Sequence, residues 1–485
     1  MSRGEGKMFQ GDSARERRQR TMTRLGLTIV VLAMSGPAHA QGLLVGANGE
    51  TPRRGVTHLI VMRGDAGAVW TLATEVEGAE GPVAFVVAVP ASVRERHVGR
   101  GRRSALRAVE RVSAPTLVEL WERDPCVPAF TTSTGTEAPT GASRDTPLAP
   151  SAGTPRWFLS RPRELPRRLR ERGFSVTDAG ALAGAEQLLV VVSEASSEVG
   201  PRLVGPVRIE VAEGAPLPTL GTAGELWLSV LAWERFEIAG RRTVPIQTRH
   251  ELAAGAAAAF PEIYRALATR TLERSPDAVV LEHARSLGRC ERCLRANELG
   301  ALGADALYPD ASSPSWARWR GLMGELVSTR MRVRTDGSPL QLRPGTPLAG
   351  GREMEAASAH GASPSSENWF VARFTIRHPW AGPIDCAAPA RGGFSPVPSG
   401  LDEPSVPPVT TLEEAFPRGI PALDIPPAPP APPVRREPAV PVPAADPSPP
   451  SARSGCRCHA GATGGTPILT MLALLLLATR ARPRR

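Results

Sequence analysis

The chain is 485 residues long and carries 50 prolines and 47 glycines, both above average usage, so length alone overstates the number of compact domains. With 41% hydrophobic, 22% charged and 5% aromatic residues it builds a real core and is neither a collagen, a coiled coil nor a wholly disordered chain. The formal net charge is +10, but Lys7 is the sole lysine, and residues 1–40 and the last six residues each supply +4. The high pI therefore reflects the two ends and is no argument for a specific nucleic-acid partner.

Residues 1–40 read as a signal peptide. Arg15, Arg17, Arg18, Arg20 and Arg24 precede an apolar run over residues 25–34, and Ala38-His39-Ala40 supplies a small-residue cleavage site. The run is too short to span a bilayer in the mature protein. A signal peptidase would act at Ala38 and Ala40 and leave Gln41 as the first mature residue, and Met8 or Met22 would serve equally well as the start.

Residues 41–393 are expected to form a β-rich ectodomain of the α+β class, mainly antiparallel. Period-two alternation predicts strands over 56–62 and 69–76, and a continuous apolar run predicts a buried one over 83–89. Further strands are expected over 187–193, 207–211, 226–232, 326–334 and 369–377. Helices are fewer, the best being 116–123 and 260–273, the second with Phe260, Ile263, Tyr264 and Leu267 on one face. Strands outnumber helices without regular alternation, which excludes a doubly wound parallel fold.

Two stretches stand out in composition. One is basic and covers residues 91–113, where Arg94, Arg96, Arg100, Arg102, Arg103, Arg107 and Arg111 face only Glu95 and Glu110, a local +5. Such a patch suits an anionic envelope polymer, while its lack of aromatic residues gives base stacking no support. The alternative is a solvated arginine-rich loop, with Gly99-Arg100-Gly101 as a flexible turn. The other, residues 127–155, is rich in Thr, Ser, Gly and Pro and reads as a surface loop.

The body holds four cysteines, Cys126, Cys290, Cys293 and Cys386, and an even number in an exported chain implies disulfides, with three pairings open. Cys290 and Cys293 also spell C-x-x-C, whose thiol-disulfide exchange chemistry requires a strand before the pair and a helix starting at it. A Ser-Leu-Gly-Arg turn precedes it instead. There is no H-E-x-x-H, no G-x-S-x-G and no phosphate-binding glycine loop, so neither a metal nor a cofactor is expected. An enzyme would need a site assembled from scattered residues, with His250 beside Glu251 and His283 beside Glu282 as its starting points.

Residues 394–455 form a proline-rich stalk, with 19 prolines between positions 396 and 450 favouring extended, disordered polyproline II. Residues 456–485 then hold an apolar stretch, 467–479, ending in the cluster Arg480, Arg482, Arg484 and Arg485. This is a short transmembrane helix oriented with its arginines inside and the body outside. Gly455-Cys456, with Cys458 close by, precedes it.

Gly-Cys, then an apolar helix, then arginines, resembles the myxobacterial sorting tail called MYXO-CTERM. The resemblance implies cutting near Cys456 or Cys458 by a sorting protease and delivery to the cell surface, the alternative being a permanent membrane anchor. In the body, the strand pair ending in Phe85-Val86-Val87-Ala88-Val89-Pro90 resembles the domain of unknown function 2330 family. Leu226-Trp227-Leu228, Glu262-Ile263-Tyr264, Val280-Leu281-Glu282-His283, Cys290-Glu291-Arg292-Cys293 and His378-Pro379-Trp380 follow in that family's order. The resemblance implies an ectodomain architecture and carries no established activity.

Overall fold

The computed structural model describes residues 42–47, 52–64, 67–127, 148–150, 153–175, 182, 184–194, 201–220, 222–246, 251–289, 294–307, 325–350, 362–395 and 407–420. The expected signal peptide, most of the 127–155 loop, the Cys290/Cys293 pair, residues 421–455 of the stalk and the whole sorting tail lie outside them.

Strands are numbered in chain order. The longest apolar runs become β2 (Arg53–Gly64), β3 (Gly67–Glu77), β9 (Arg202–Val211), β10 (Thr222–Ala232), β14 (Ala278–Ser286) and β15 (Val327–Asp336). They form the centre of a sheet of eleven described strands in the order β14-β15-β10-β2-β3-β9. Edges are short: β5 (Val98–Arg100) beside β9, and β19 (Trp369–Val371), β17 (Leu348–Gly350) and β18 (Ser363–Pro364) beyond β14, which also pairs with β12 (Arg242–Pro245). Most pairings are antiparallel as expected, but β2 and β10 run parallel in the middle of the sheet. A parallel pair needs a long crossover, and the chain between β2 and β10 supplies it by building other elements first.

A second, antiparallel sheet has the order β1 (Leu43–Gly46), β4 (Val83–Val89), β8 (Gln187–Ser193), β7 (Arg156–Ser160). Its inner face carries Phe85, Val87, Leu189 and Val191 onto Leu59, Trp70, Leu72, Leu228 and Met331 of the large sheet, forming the main core. Each such side chain contributes roughly 1.5–3 kcal/mol on burial. A third sheet sets β13 (Glu251–Leu252), β20 (Arg373–His378), β6 (Thr116–Glu122) and β21 (Phe394–Ser395) side by side, and β11 (Phe236–Ile238) pairs with β16 (Leu342–Pro344).

The region 116–123, expected as a helix, is therefore strand β6. Its spacing suits a helix, but Thr116, Val118 and Trp121 also suit a strand, and six consecutive residues register in parallel with β20. Pairing with a distant segment overrides the local preference.

Helices cover both outer faces. Helix α1 (Arg103–Ser113) buries Ala105, Leu106, Ala108 and Val109, a stripe at helical spacing, against Ile60, Met62, Val69 and Leu231. Helix α2 (Leu165–Arg170) closes the outer face of the small sheet with Leu165 and Leu169. Helix α3 (Phe260–Arg274) matches the expected 260–273 and lays Phe260, Ile263, Tyr264 and Leu267 against Val280 and Phe374. Helices α4 (Ala296–Leu302) and α5 (Ala304–Leu307) add Leu299, Leu302 and Leu307 beside α1.

The basic stretch at 91–113 is thus no loop. It contributes the edge strand β5 and helix α1, and Gly99-Arg100-Gly101 is a strand end rather than a flexible turn. Gly101 is needed there because a Cβ would lie 2.9 Å from Pro206 Cβ.

The folded body also continues past the expected stalk boundary at 393. Strand β21 pairs with β6, and helix α6 (Leu412–Ala415) is capped by Thr411, whose hydroxyl accepts a hydrogen bond from the Glu414 N–H at 3.3 Å. Ala415 and Phe416 are buried in the cluster around α3, with Phe416 and Phe374 rings 6.5 Å apart. Proline-rich composition masked these few apolar residues, which are enough to dock the segment.

Candidate functional site

The densest chemistry in the body is a buried seam of charge on the helical side of the large sheet. It lies between the apolar cluster under α1 and the apolar cluster under α3. A bulge in β14 creates its centre: Leu281 is opposite Met331 and His283 is opposite Arg330, so Glu282 has no partner across β15. Leu281 and Ala284 both face the main core, and the extra residue turns Glu282 and His283 away from it.

Glu282 is fully buried and binds both strand neighbours at once. Arg330 Nε donates to one carboxylate oxygen and Arg332 Nε pairs with the other, which also accepts the Tyr264 hydroxyl at 2.6 Å. Arg330 and Arg332 are each 1% exposed. From there the seam runs two ways. Arg330 Nη1 donates to Glu110 Oε2 of α1 at 2.6 Å, and His58 on β2 lies between Glu110 and Glu75, at 3.8 and 3.4 Å from their carboxylate oxygens. Arg332 Nη1 donates to Glu225 at 3.1 Å, and the Trp227 indole N–H donates to the same oxygen at 2.6 Å. The Trp227 ring also receives the Arg332 guanidinium 4.0 Å from its centroid and the His58 ring edge-on at 5.0 Å.

The seam's protonation states follow from this packing. Burial pushes His58 down, but hydrogen bonds and negative charge from Glu110 and Glu75 outweigh it and leave its pKa raised. Burial pushes Glu110 up, yet the Arg330 charge and the His58 contact hold it down at about 2. Burial also raises the Tyr264 hydroxyl, with the Glu282 charge adding to it. His283 is lowered to about 3 by burial and by Arg285 and Arg330, so it is neutral. Neither His283 ring nitrogen has a hydrogen-bond partner among the described residues, nor does Arg330 Nη2.

A second cluster ties the segment after β20 to β6. Glu122 is buried, and its carboxylate accepts the Gly392 and Trp380 backbone N–H groups at 2.8 and 2.9 Å and the Arg391 guanidinium at 3.0 Å. Burial raises its pKa, but these donors win and leave it lowered. Next to it Cys126 and Cys386 form a disulfide with Cα atoms 5.4 Å apart, closing a sequence separation of 260 residues. Cys290 and Cys293 lie outside the described residues.

The arginine candidates divide. Arg94, Arg96, Arg100, Arg102 and Arg107 are exposed. Arg94 donates to the Ala91 and Val93 carbonyls, and Arg96 Nε to His97 Nε2 at 3.2 Å. Arg103 instead donates to the Leu148 carbonyl at 2.5 Å, and Arg111 pairs with Glu298 at 2.8 Å. Arg94 also borders a cleft of about 450 Å³ together with Arg161, Glu164 and Glu186. The His283–Glu282 pair enters the seam, whereas His250 lies outside the described residues and Glu251 faces Arg377 and Arg418 at 3.9 and 3.3 Å. Gly455, Cys456, Cys458, Ala38 and Ala40 also lie outside.

Among the described residues no group of three or more His, Cys, Asp or Glu is disposed to hold a metal ion, and no helix is long and apolar enough to cross a membrane. Sequence reasoning missed His58, Glu75, Glu110, Glu225, Arg330 and Arg332. The alternation Arg330-Met331-Arg332-Val333 reads as a strand with one wet face, and only the helices laid over that face reveal the arginines as buried. No family model, curated protein or solved structure matches the chain.

Proposed function

We propose that this chain is exported and held at the cell surface, and that its β-rich body is a non-enzymatic envelope or binding ectodomain. The observation that carries the reading is the Cys126–Cys386 disulfide in a chain that opens with a secretory pattern, because such bridges persist in oxidising compartments. The seam supports a structural role for the body's strongest charges: Glu282, Arg330, Arg332 and Glu110 pair with one another under two helices instead of lining an open cleft. The stalk supplies distance from the membrane and the tail supplies anchoring or sorting. Kinship with the domain of unknown function 2330 family belongs to the same reading and rests on the order of its motifs.

Envelope fractionation with mass spectrometry tests it. The mature chain is expected to start at Gln41 and to sit in the envelope with Cys126 and Cys386 oxidised. Changing Cys456 and Cys458 to Ala should hold the uncut chain in the inner membrane and remove it from the surface. Peptides from residues 1–20 in the envelope fraction would refute the signal peptide, and undiminished surface display of the double variant with its tail attached would replace sorting by simple anchoring.

A further inference from the structure

Helix α1 and strand β5 separate charge by sign. The acidic residue of the helix, Glu110, is turned inward and consumed by Arg330 and His58, while Arg107, on the side away from the buried stripe, is exposed. Arg100, at the end of β5, and Arg102, just before α1, are exposed as well. None of these three side chains has an ion-pair or hydrogen-bond partner among the described residues, while the Arg102 carbonyl accepts the Ala105 N–H and Arg100 pairs with Val207 of β9 through the backbone. Arg94 and Arg96 extend the same chain segment; they are held by carbonyls and by His97, which orient them without cancelling their charge. Glu95 is the exposed carboxylate of residues 91–113.

The placement is also fixed. Strand β5 is anchored on β9 through Val98, Gly99 and Arg100, the Gly101 N–H donates to the Pro206 carbonyl at 3.0 Å, and α1 is pinned by its buried stripe. Exposed arginines on a rigid edge strand and the helix that follows lose less conformational freedom on binding than arginines on a loop. Among the described residues β5 pairs with β9 and ends the strand order of the large sheet.

We infer that this face, centred on Arg100, Arg102 and Arg107, binds a linear anionic polysaccharide. The inference rests on the exported reading above for where that polymer is met. Arginine suits carboxylate and sulfate groups through paired N–H donors, and repeated anionic groups match charges spaced along a strand and a helix. Polysaccharide is preferred to nucleic acid because residues 91–113 offer no Phe, Tyr or Trp ring on which bases would stack.

The test uses the purified full chain in detergent, with dextran sulfate as probe, neutral dextran as control and a single-stranded DNA oligonucleotide as competitor class. Arg100→Ala, Arg102→Ala and Arg107→Ala combined are compared with a charge-matched control combining Arg163→Ala, Arg167→Ala and Arg170→Ala near or in α2. The intact chain should bind dextran sulfate and ignore dextran. The first variant should bind at least tenfold more weakly, with its log–log salt slope reduced by about 2 to 3, and the control should not. Unchanged melting temperatures exclude misfolding as the cause. Equal loss in both variants, or no loss in the first, overturns the inference, and tighter binding to the oligonucleotide than to dextran sulfate overturns the choice of polymer. Binding is read in vitro, so a cytoplasmic location would refute export without touching this result.

Discussion

Replacing Glu282 with Ala removes the carboxylate shared by Arg330, Arg332 and Tyr264. Deleting one partner of a buried ion pair costs about 3–5 kcal/mol, because the surviving charge stays desolvated. A hydroxyl left without its acceptor adds about 1–3 kcal/mol. The two costs do not simply add, since Arg330 keeps Glu110 at 2.6 Å and Arg332 keeps Glu225 at 3.1 Å. The expected loss is therefore about 4–6 kcal/mol, a large share of the roughly 5–15 kcal/mol typical of a folded domain. At about 2.1 cal/mol/K of unfolding entropy per residue, a body of this size should melt roughly 5–10 °C lower. Urea unfolding followed by tryptophan fluorescence, with calorimetry in parallel, measures both. Glu282→Gln should lose less, since it keeps the shape and an acceptor for Tyr264. A Glu282→Ala loss of about 1 kcal/mol or less would refute the reasoning and mean that the seam's arginines are solvated without Glu282.

Stability should also depend on pH in two windows. His58 has a raised folded pKa, so its contribution is complete below its unfolded value of 6.5 and is lost as pH rises through the folded one; His58→Gln should flatten that alkaline decline in urea midpoints. Glu110 has a lowered folded pKa, so its contribution is present above 4.5 and lost as pH falls toward about 2, and Glu110→Gln should remove that acid decline at the cost of a lower midpoint near neutrality. Coincident pH profiles for the variants and the parent would contradict both assignments. Finally, Cys126→Ser with Cys386→Ser should cost about 2–5 kcal/mol and open the segment after β20 to limited proteolysis, whereas an unchanged melting temperature and cleavage pattern would show that Glu122 and the β21–β6 pairing hold it without the bridge.

The elements most legible in the sequence were those with uninterrupted patterns. The runs 83–89 and 187–193 became strands with those same bounds, and the stripe Phe260, Ile263, Tyr264, Leu267 became the buried face of α3. Periodicity reports which face of an element is apolar, and that is enough to define a strand or helix whose other side chains do not compete. It does not report what covers the other face. For this reason Arg330 and Arg332 looked like ordinary polar positions in a half-wet strand, the 116–123 segment looked helical until β20 paired with it, and residues 407–420 passed for stalk. The parallel contact of β2 with β10 and the Cys126–Cys386 pairing are likewise encounters between distant parts of the chain. The sequence by itself determined the β-rich class of the body and the arginine excess of its 91–113 segment. Only the tertiary structure decided which charges were buried against one another and which were left facing water, because that choice depends on the helices that close over the sheet.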